Sequence, residues 1–280
     1  MDAEHSLVEM IDHFVASKTV KLPAFNATAL RIQKEVAREE PDFRLIEKLI
    51  VSDQSMTGEV LRVSNSSFYK GLTQVATVRD AIIRLGIKEV SNIVSLVALQ
   101  YNFKSKDPAV HKIMGKLWRH SVGCAIGANW LARQNGFQAL AHETFIAGLL
   151  HDVGKLYVLK IIDDMKASAE LESLPSDKVI NEVMQQLHTD LGYSLMVHWN
   201  LPEKYCQIAR DHHLDELDGN NFVLVLVRLA NQMCHKMGIG LIEDPSIIML
   251  ETPEAVQLQL SEVDLARLEV RLEDTQVFAA

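Results

Sequence analysis

The chain has 280 residues, 48% hydrophobic and 23% charged, which is apolar mass for one large core or two smaller ones and excludes a disordered chain. Its formal charge of −9 argues against the basic face that nucleic-acid binders present to phosphate backbones, so direct DNA or RNA binding is not expected. Three widely spaced cysteines, Cys124, Cys206 and Cys234, suggest neither a disulfide framework nor a thiolate zinc site and fit a reducing cytoplasm.

The opening residues, MDAEHSLVEM, have no basic stretch followed by an apolar one, so no secretory leader is read there. Pro41-Asp42 opens a helix whose Phe43, Ile46, Leu49 and Ile50 form one apolar stripe, and Met56, Val60 and Val63 share a face of the next. Thr77-Val-Arg-Asp80 has capping-box spacing ahead of Ala81, Ile82 and Leu85, and Gly86 separates this helix from a second through Val90, Ile93, Val94 and Val97. That pair reads as scaffold, because a DNA-recognition helix would not be almost wholly apolar in an acidic protein.

Lys104-Ser-Lys-Asp-Pro108 is polar and marks a seam. From Val110 to Leu131 helical spacing resumes, with Gly115, Gly123, Ala125, Gly127 and Ala128 predicting close helix–helix approach. Residues 141–160 form a further periodic stretch. Leu171 to Asp177 reads as a loop, 178–198 as a helix ended by Asn200-Leu-Pro202, and 222–237 as a buried helix after the turn at Asp218-Gly-Asn-Asn221. The most apolar run, Phe222 to Val227, stops at Arg228, short of the ~20 residues that span a bilayer, so no membrane span is expected. Ser261-Glu-Val-Asp264 resembles a capping box for a last helix with Leu265, Leu268 and Leu272 aligned. Strand alternation is missing, and the fold class is all-α.

Of eleven histidines, His5, His13, His111, His142, His198 and His235 have no carboxylate or histidine at an interpretable spacing and read as surface or satisfied core groups. Five remain: His120, His151, His188, His212 and His213. His151 is followed directly by Asp152. Imidazole with carboxylate suits iron, manganese or zinc, and a carboxylate can bridge two ions through its two oxygens. In His151-Asp-Val-Gly-Lys155 the glycine would admit a close backbone partner and the lysine would offer a point charge to a phosphate.

His120, then Gly148-Leu-Leu-His-Asp-Val-Gly-Lys155, then His188-x-x-x-Gly192, then Asp211-His-His213 resemble, in order and rough spacing, the HD superfamily, in the branch that holds HD-GYP phosphodiesterases and HDOD domains. Leu22-Pro23-Ala24, Ser52-Asp53-Gln54 through Val63-Ser-Asn65, Phe68-Tyr69 and Ala81-Ile-Ile-Arg-Leu-Gly86 are similar to the N-terminal half of HDOD proteins. The Gly-Tyr-Pro element of the phosphodiesterases does not follow the double histidine, where Leu214 to Asn221 stands instead.

The resemblance implies an HD-like multi-helix bundle with an additional N-terminal helical bundle. The expected parts are an N-terminal half over 1–104, an HD-like core over 105–240 and a C-terminal extension over 241–280. It implies a site for one or two divalent ions, iron, manganese, zinc or nickel, on His120, His151, Asp152, His188, His212 and His213, with Asp152 and Lys155 as the catalytic candidates. The family's final aspartate falls on Asn231, whose amide brings no charge, and Lys116 replaces a glutamate one turn before His120, which argues against a third ion.

Two functional readings follow. One is a cytoplasmic, non-catalytic signalling module that binds a partner protein or a nucleotide-like ligand. The other is a metal-dependent phosphohydrolase acting on a nucleotide or another phosphoester. A bland reading, a hydrogen-bonded network of inherited histidines, stands beside them. The Leu265, Leu268, Leu272 stripe either packs on the core or pairs two copies as a homodimer.

Overall fold

A computed structural model describes residues 6–16, 23–69, 71 and 73–278, and these form helices, turns and loops with no strand among them. The all-α expectation holds; His5 and Leu22 lie outside the described residues. The N-terminal part contains α1 (Leu7–Ala16), α2 (Ala27–Val36), α3 (Phe43–Val51), α4 (Gln54–Ser64), α5 (Val78–Leu85) and α6 (Ile87–Gln100). Asn26, Asp42 and Asp53 cap α2, α3 and α4 through their side chains, and Thr77 with Asp80 forms a reciprocal capping box on α5. Ile46, Leu49 and Ile50 turn inward as read, whereas Phe43, at the first helical position of α3, is 47% exposed. Gly86, at φ +86°, is the pivot between α5 and α6, a conformation that a side chain would strain.

Asp107 caps α7 (Pro108–Gln134), with Pro108 at its first position, so the seam is a helix start. This helix, about 40 Å long at 1.5 Å per residue, is the post around which α8 (Ala141–Leu150), α9 (Val153–Ala167) and α12 (Phe222–Lys236) pack. The single stretch read over 141–160 is in fact two helices broken at His151-Asp152. Both flanks are buried on nearly every side, so periodicity gave no sign of the break. Gly148 allows α8 to meet α7: a Cβ there would come 2.7 Å from the Cys124 carbonyl oxygen. Gly115 makes no such approach, contrary to expectation, since a Cβ there would meet nothing within 4 Å.

Beyond them lie α10 (Asp177–His198), α11 (Glu203–Asp211), α13 (Pro253–Gln257) and α14 (Glu262–Glu273). Helices α1, α2, α11 and α13 are additions that the sequence pattern did not single out. The Ser261/Asp264 capping box forms, and Leu265, Leu268 and Leu272 are buried, with Leu268 and Leu272 reaching Gly127 of α7. The stripe therefore packs on the core. No helix is long and apolar enough to cross a membrane among the described residues.

Candidate metal centre

The break between α8 and α9 has a chemical consequence. His151 ends α8 and Asp152 precedes α9, so consecutive side chains both enter the interior, each about 1% exposed. Gly154 makes this depth attainable: a Cβ there would overlap the His188 carbonyl and come 2.7 Å from the Gly192 nitrogen, so α9 and α10 touch backbone to backbone. That crossing carries His188 to the carboxylate, and the end of α11 delivers His212.

Four imidazoles surround Asp152. Nε2 of His120 and of His151 lie 3.3 and 3.5 Å from Oδ2, and Nε2 of His188 and of His212 each lie 3.5 Å from Oδ1. All four rings spend Nδ1 on a backbone carbonyl: Ile239 for His120, Gly148 for His151, Met184 for His188 and Ala209 for His212. With Nδ1–H donated outward, a ring that is neutral turns an Nε2 lone pair toward the carboxylate. His188 and His212 bring these nitrogens to 3.4 Å of each other. Lone pairs converging on an anion are repulsive unless a cation joins them.

Two features supply or favour positive charge here. Nζ of Lys155 lies 2.7 Å from Oδ2 of Asp152, and both side chains are buried. Lys155, read from the sequence as a point charge for a phosphate, here faces the carboxylate. The other is a bias at His120 toward holding a proton: burial opposes it, but its hydrogen bond and ion pair with Asp152 raise its pKa above the ordinary value. Burial would likewise push Asp152 up, yet Lys155 and the histidines outweigh it and hold the carboxyl well below the usual range. Burial keeps His151 and His188 neutral, His151 well below its usual pKa and His188 lowered to about 4.

Even so, Nε2 of His151 and Oδ1 of Asp152 have no hydrogen-bond partner among the described residues. Nitrogen and oxygen donors about 2.0–2.2 Å from a tetrahedral ion are about 3.3–3.6 Å apart, the spacing found here. The orphaned atoms, the outward Nδ1 hydrogens and the donor chemistry fit a divalent ion of the iron, manganese or zinc type.

His213 is exposed and stands at the edge of the cluster, its ring centroid 5.0 Å from that of His188. It belongs to a set with Asp152, His188 and His212 whose ligand atoms lie within 4.8 Å of one another. His235, set aside on sequence grounds, stacks on His120 at 5.2 Å and 15°. His142 is satisfied elsewhere, between Asn92 and Gln33, and His13, His111 and His198 are exposed. Cys124 and Cys234, which the sequence left apart, also meet beside His120; the residues lie 110 positions apart and only packing of α12 on α7 unites them.

The cluster is tightly packed on the His120 side. The void lined by His120, Asp152, Lys155, Met184, His235 and Leu241 measures about 10 Å³, room for about one water. A cavity of about 650 Å³ lies elsewhere, between α2, α6, α8 and α11, with Lys34, Arg38, Lys88 and Lys204 among its lining. Its wall includes Leu149 and Leu150, the residues immediately before His151.

The HDOD domain family matches residues 22–214. The chain belongs to that family. This HDOD chain is 27% identical over 207 residues to a protein of Treponema pallidum (strain Nichols), covering 71% of the chain and 39% of that protein. It is 23% identical over 185 residues to the cyclic di-GMP phosphodiesterase CdgJ of Vibrio cholerae, covering 64% of the chain and 40% of CdgJ. The HDOD chain thus spans about two fifths of the length of these curated relatives. Among solved structures it resembles an HDOD domain protein of unknown function from Geobacter sulfurreducens, with TM-score 0.75, 22% identity and coverage of 100% of this chain and 98% of that one. The last likeness is one of fold.

Proposed function

We propose that this HDOD chain is a signalling module whose His/Asp centre holds a divalent ion without turning over a phosphoester. The observation that carries this reading is the burial of Asp152, about 1% exposed, under Lys155 and His120 beside a void of about one water's volume. His120, His151, Asp152, His188, His212 and His213 would hold the ion. When bound, it would supply positive charge to offset the carboxylate of Asp152.

The ligand-binding part of the role is best served by the cavity of about 650 Å³, a size suited to a small organic molecule. Its lining carries Lys34, Arg38, Lys88 and Lys204 against Glu39 and Glu143, with Lys204 paired to Glu143, an excess of positive charge that suits a nucleotide-like anion. Because Leu149 and Leu150 line the cavity and His151 follows them on α8, a ligand there would bear on the same helix end that positions the metal ligands. A partner protein would read the resulting state.

A phosphohydrolase is the second reading, and one observation favours it: each oxygen of Asp152 faces its own pair of imidazoles, an arrangement able to bridge two ions. In that role bound metal would activate water and polarise a phosphoryl oxygen. Lys155 would have to leave Asp152 to reach a leaving group. Assay of the manganese- and iron-loaded protein on bis(p-nitrophenyl) phosphate and on cyclic di-GMP decides between the two. The proposal expects no turnover above the Asp152→Asn variant; turnover that this substitution abolishes would establish the hydrolase.

A further inference from the structure

His120 and Cys124 are four residues apart on α7 and therefore share a face, and Sγ of Cys124 lies 3.5 Å from Nε2 of His120. Cys234 approaches from α12 opposite Gly123, where a Cβ would come 2.9 Å from its Sγ, so the missing side chain gives the thiol its place. Ligand atoms of His120, Cys124 and Cys234 lie within 4.8 Å of one another, and all three residues are buried, the cysteines completely. Ile239 and Gly240 fix the imidazole from behind: the Ile239 carbonyl takes its Nδ1 hydrogen, and Gly240, at φ +131°, passes where a Cβ would come 2.9 Å from that of His120.

We propose that His120, Cys124 and Cys234, completed by Oδ2 of Asp152, form a thiolate subsite that takes zinc(II) in preference to magnesium or manganese. This rests on the reading of His120 and Asp152 as metal ligands and adds sulfur to it. Two thiolates supply anionic charge next to the imidazole of His120. With Asp152, Lys155 and a divalent ion they leave the buried site without net charge, which a low-dielectric interior requires. Soft sulfur donors with one imidazole and one carboxylate select zinc over the hard ions. Binding releases the two thiol protons to solvent and needs no redox partner.

Cobalt(II) is the probe. The full-length, reduced, chelator-treated protein is titrated with cobalt chloride, with uptake measured by equilibrium dialysis and absorption recorded in the near ultraviolet. Sulfur-to-cobalt charge-transfer absorption is expected, lost in Cys124→Ala and Cys234→Ala, kept in His188→Ala, and bleached by added zinc but not by excess magnesium. Cobalt bound without that absorption overturns the thiolate subsite and leaves the His/Asp centre standing; no cobalt uptake overturns both. Because the cysteine variants are core substitutions, zinc-edge X-ray absorption of the wild type provides a second test. Sulfur at about 2.3 Å supports the subsite, and nitrogen and oxygen alone at about 2.0–2.2 Å contradict it.

Discussion

Lys155 and Asp152, three residues apart at the start of α9, form an ion pair of 2.7 Å with both side chains buried. The ammonium stands on the carboxylate oxygen that also faces His120 and His151, so in the metal-free protein it does for Oδ2 what an ion would do.

Lys155→Met should therefore separate two effects. Removing one partner of a buried pair costs about 3–5 kcal/mol, and the chelated variant should lose stability of that order in urea denaturation. Its affinity for zinc or manganese, measured by calorimetry, should rise, because a competing cation has gone. A lower affinity would mean that Lys155 supports the ion rather than standing in for it.

Gly154→Ala should be among the most damaging single changes available. The added methyl has no room against the His188 carbonyl and the Gly192 nitrogen, both of them backbone, so α9 and α10 must separate. Overpacking typically costs about 1–3 kcal/mol, and the upper end or beyond is expected because neither neighbour can rotate away. Denaturation midpoints check this, and wild-type stability would contradict the close crossing.

The motif that placed His151, Asp152, Gly154 and Lys155 was legible because its residues are neighbours in sequence, and the capped helix starts were legible for the same reason. His235, Cys124 and Cys234 were not, since they reach His120 only when α12 packs on α7 and the chain through Ile239–Gly240 crosses behind it. The break at His151-Asp152 was hidden because helices buried on all sides carry no amphipathic phase. The pairing of Lys155 with Asp152 was not read, because sequence does not show that the nearest anion is its own neighbour, three residues back.

His142 supplies a pH test outside the cluster. Burial, with Lys88 and Lys204 adding to it, lowers its pKa to about 4, against about 6.5 for an unfolded histidine. The unfolded chain thus binds a proton that the folded one refuses, and stability present above pH ~6.5 is lost as the pH falls toward 4. Comparison with His142→Gln, which cannot titrate, should show a flatter decline over that window, the difference amounting to about 3 kcal/mol. Parallel profiles would place the proton elsewhere.

Leu268→Ala tests the C-terminal stripe. A fully buried leucine against α7 should cost about 2–4 kcal/mol on truncation. Sedimentation should show no change in assembly state at a temperature where the variant is folded. A change in assembly with stability preserved would restore the dimer reading of that stripe.

The most direct test of the account is the metal content of the protein purified without chelator or metal-affinity resin, compared with His188→Ala and Asp152→Asn prepared in the same way. The account predicts at least one equivalent of iron, manganese or zinc per chain in the wild type and its loss from Asp152→Asn. A wild type that stays metal-free after incubation with each ion, or an Asp152→Asn protein with undiminished metal, would contradict it.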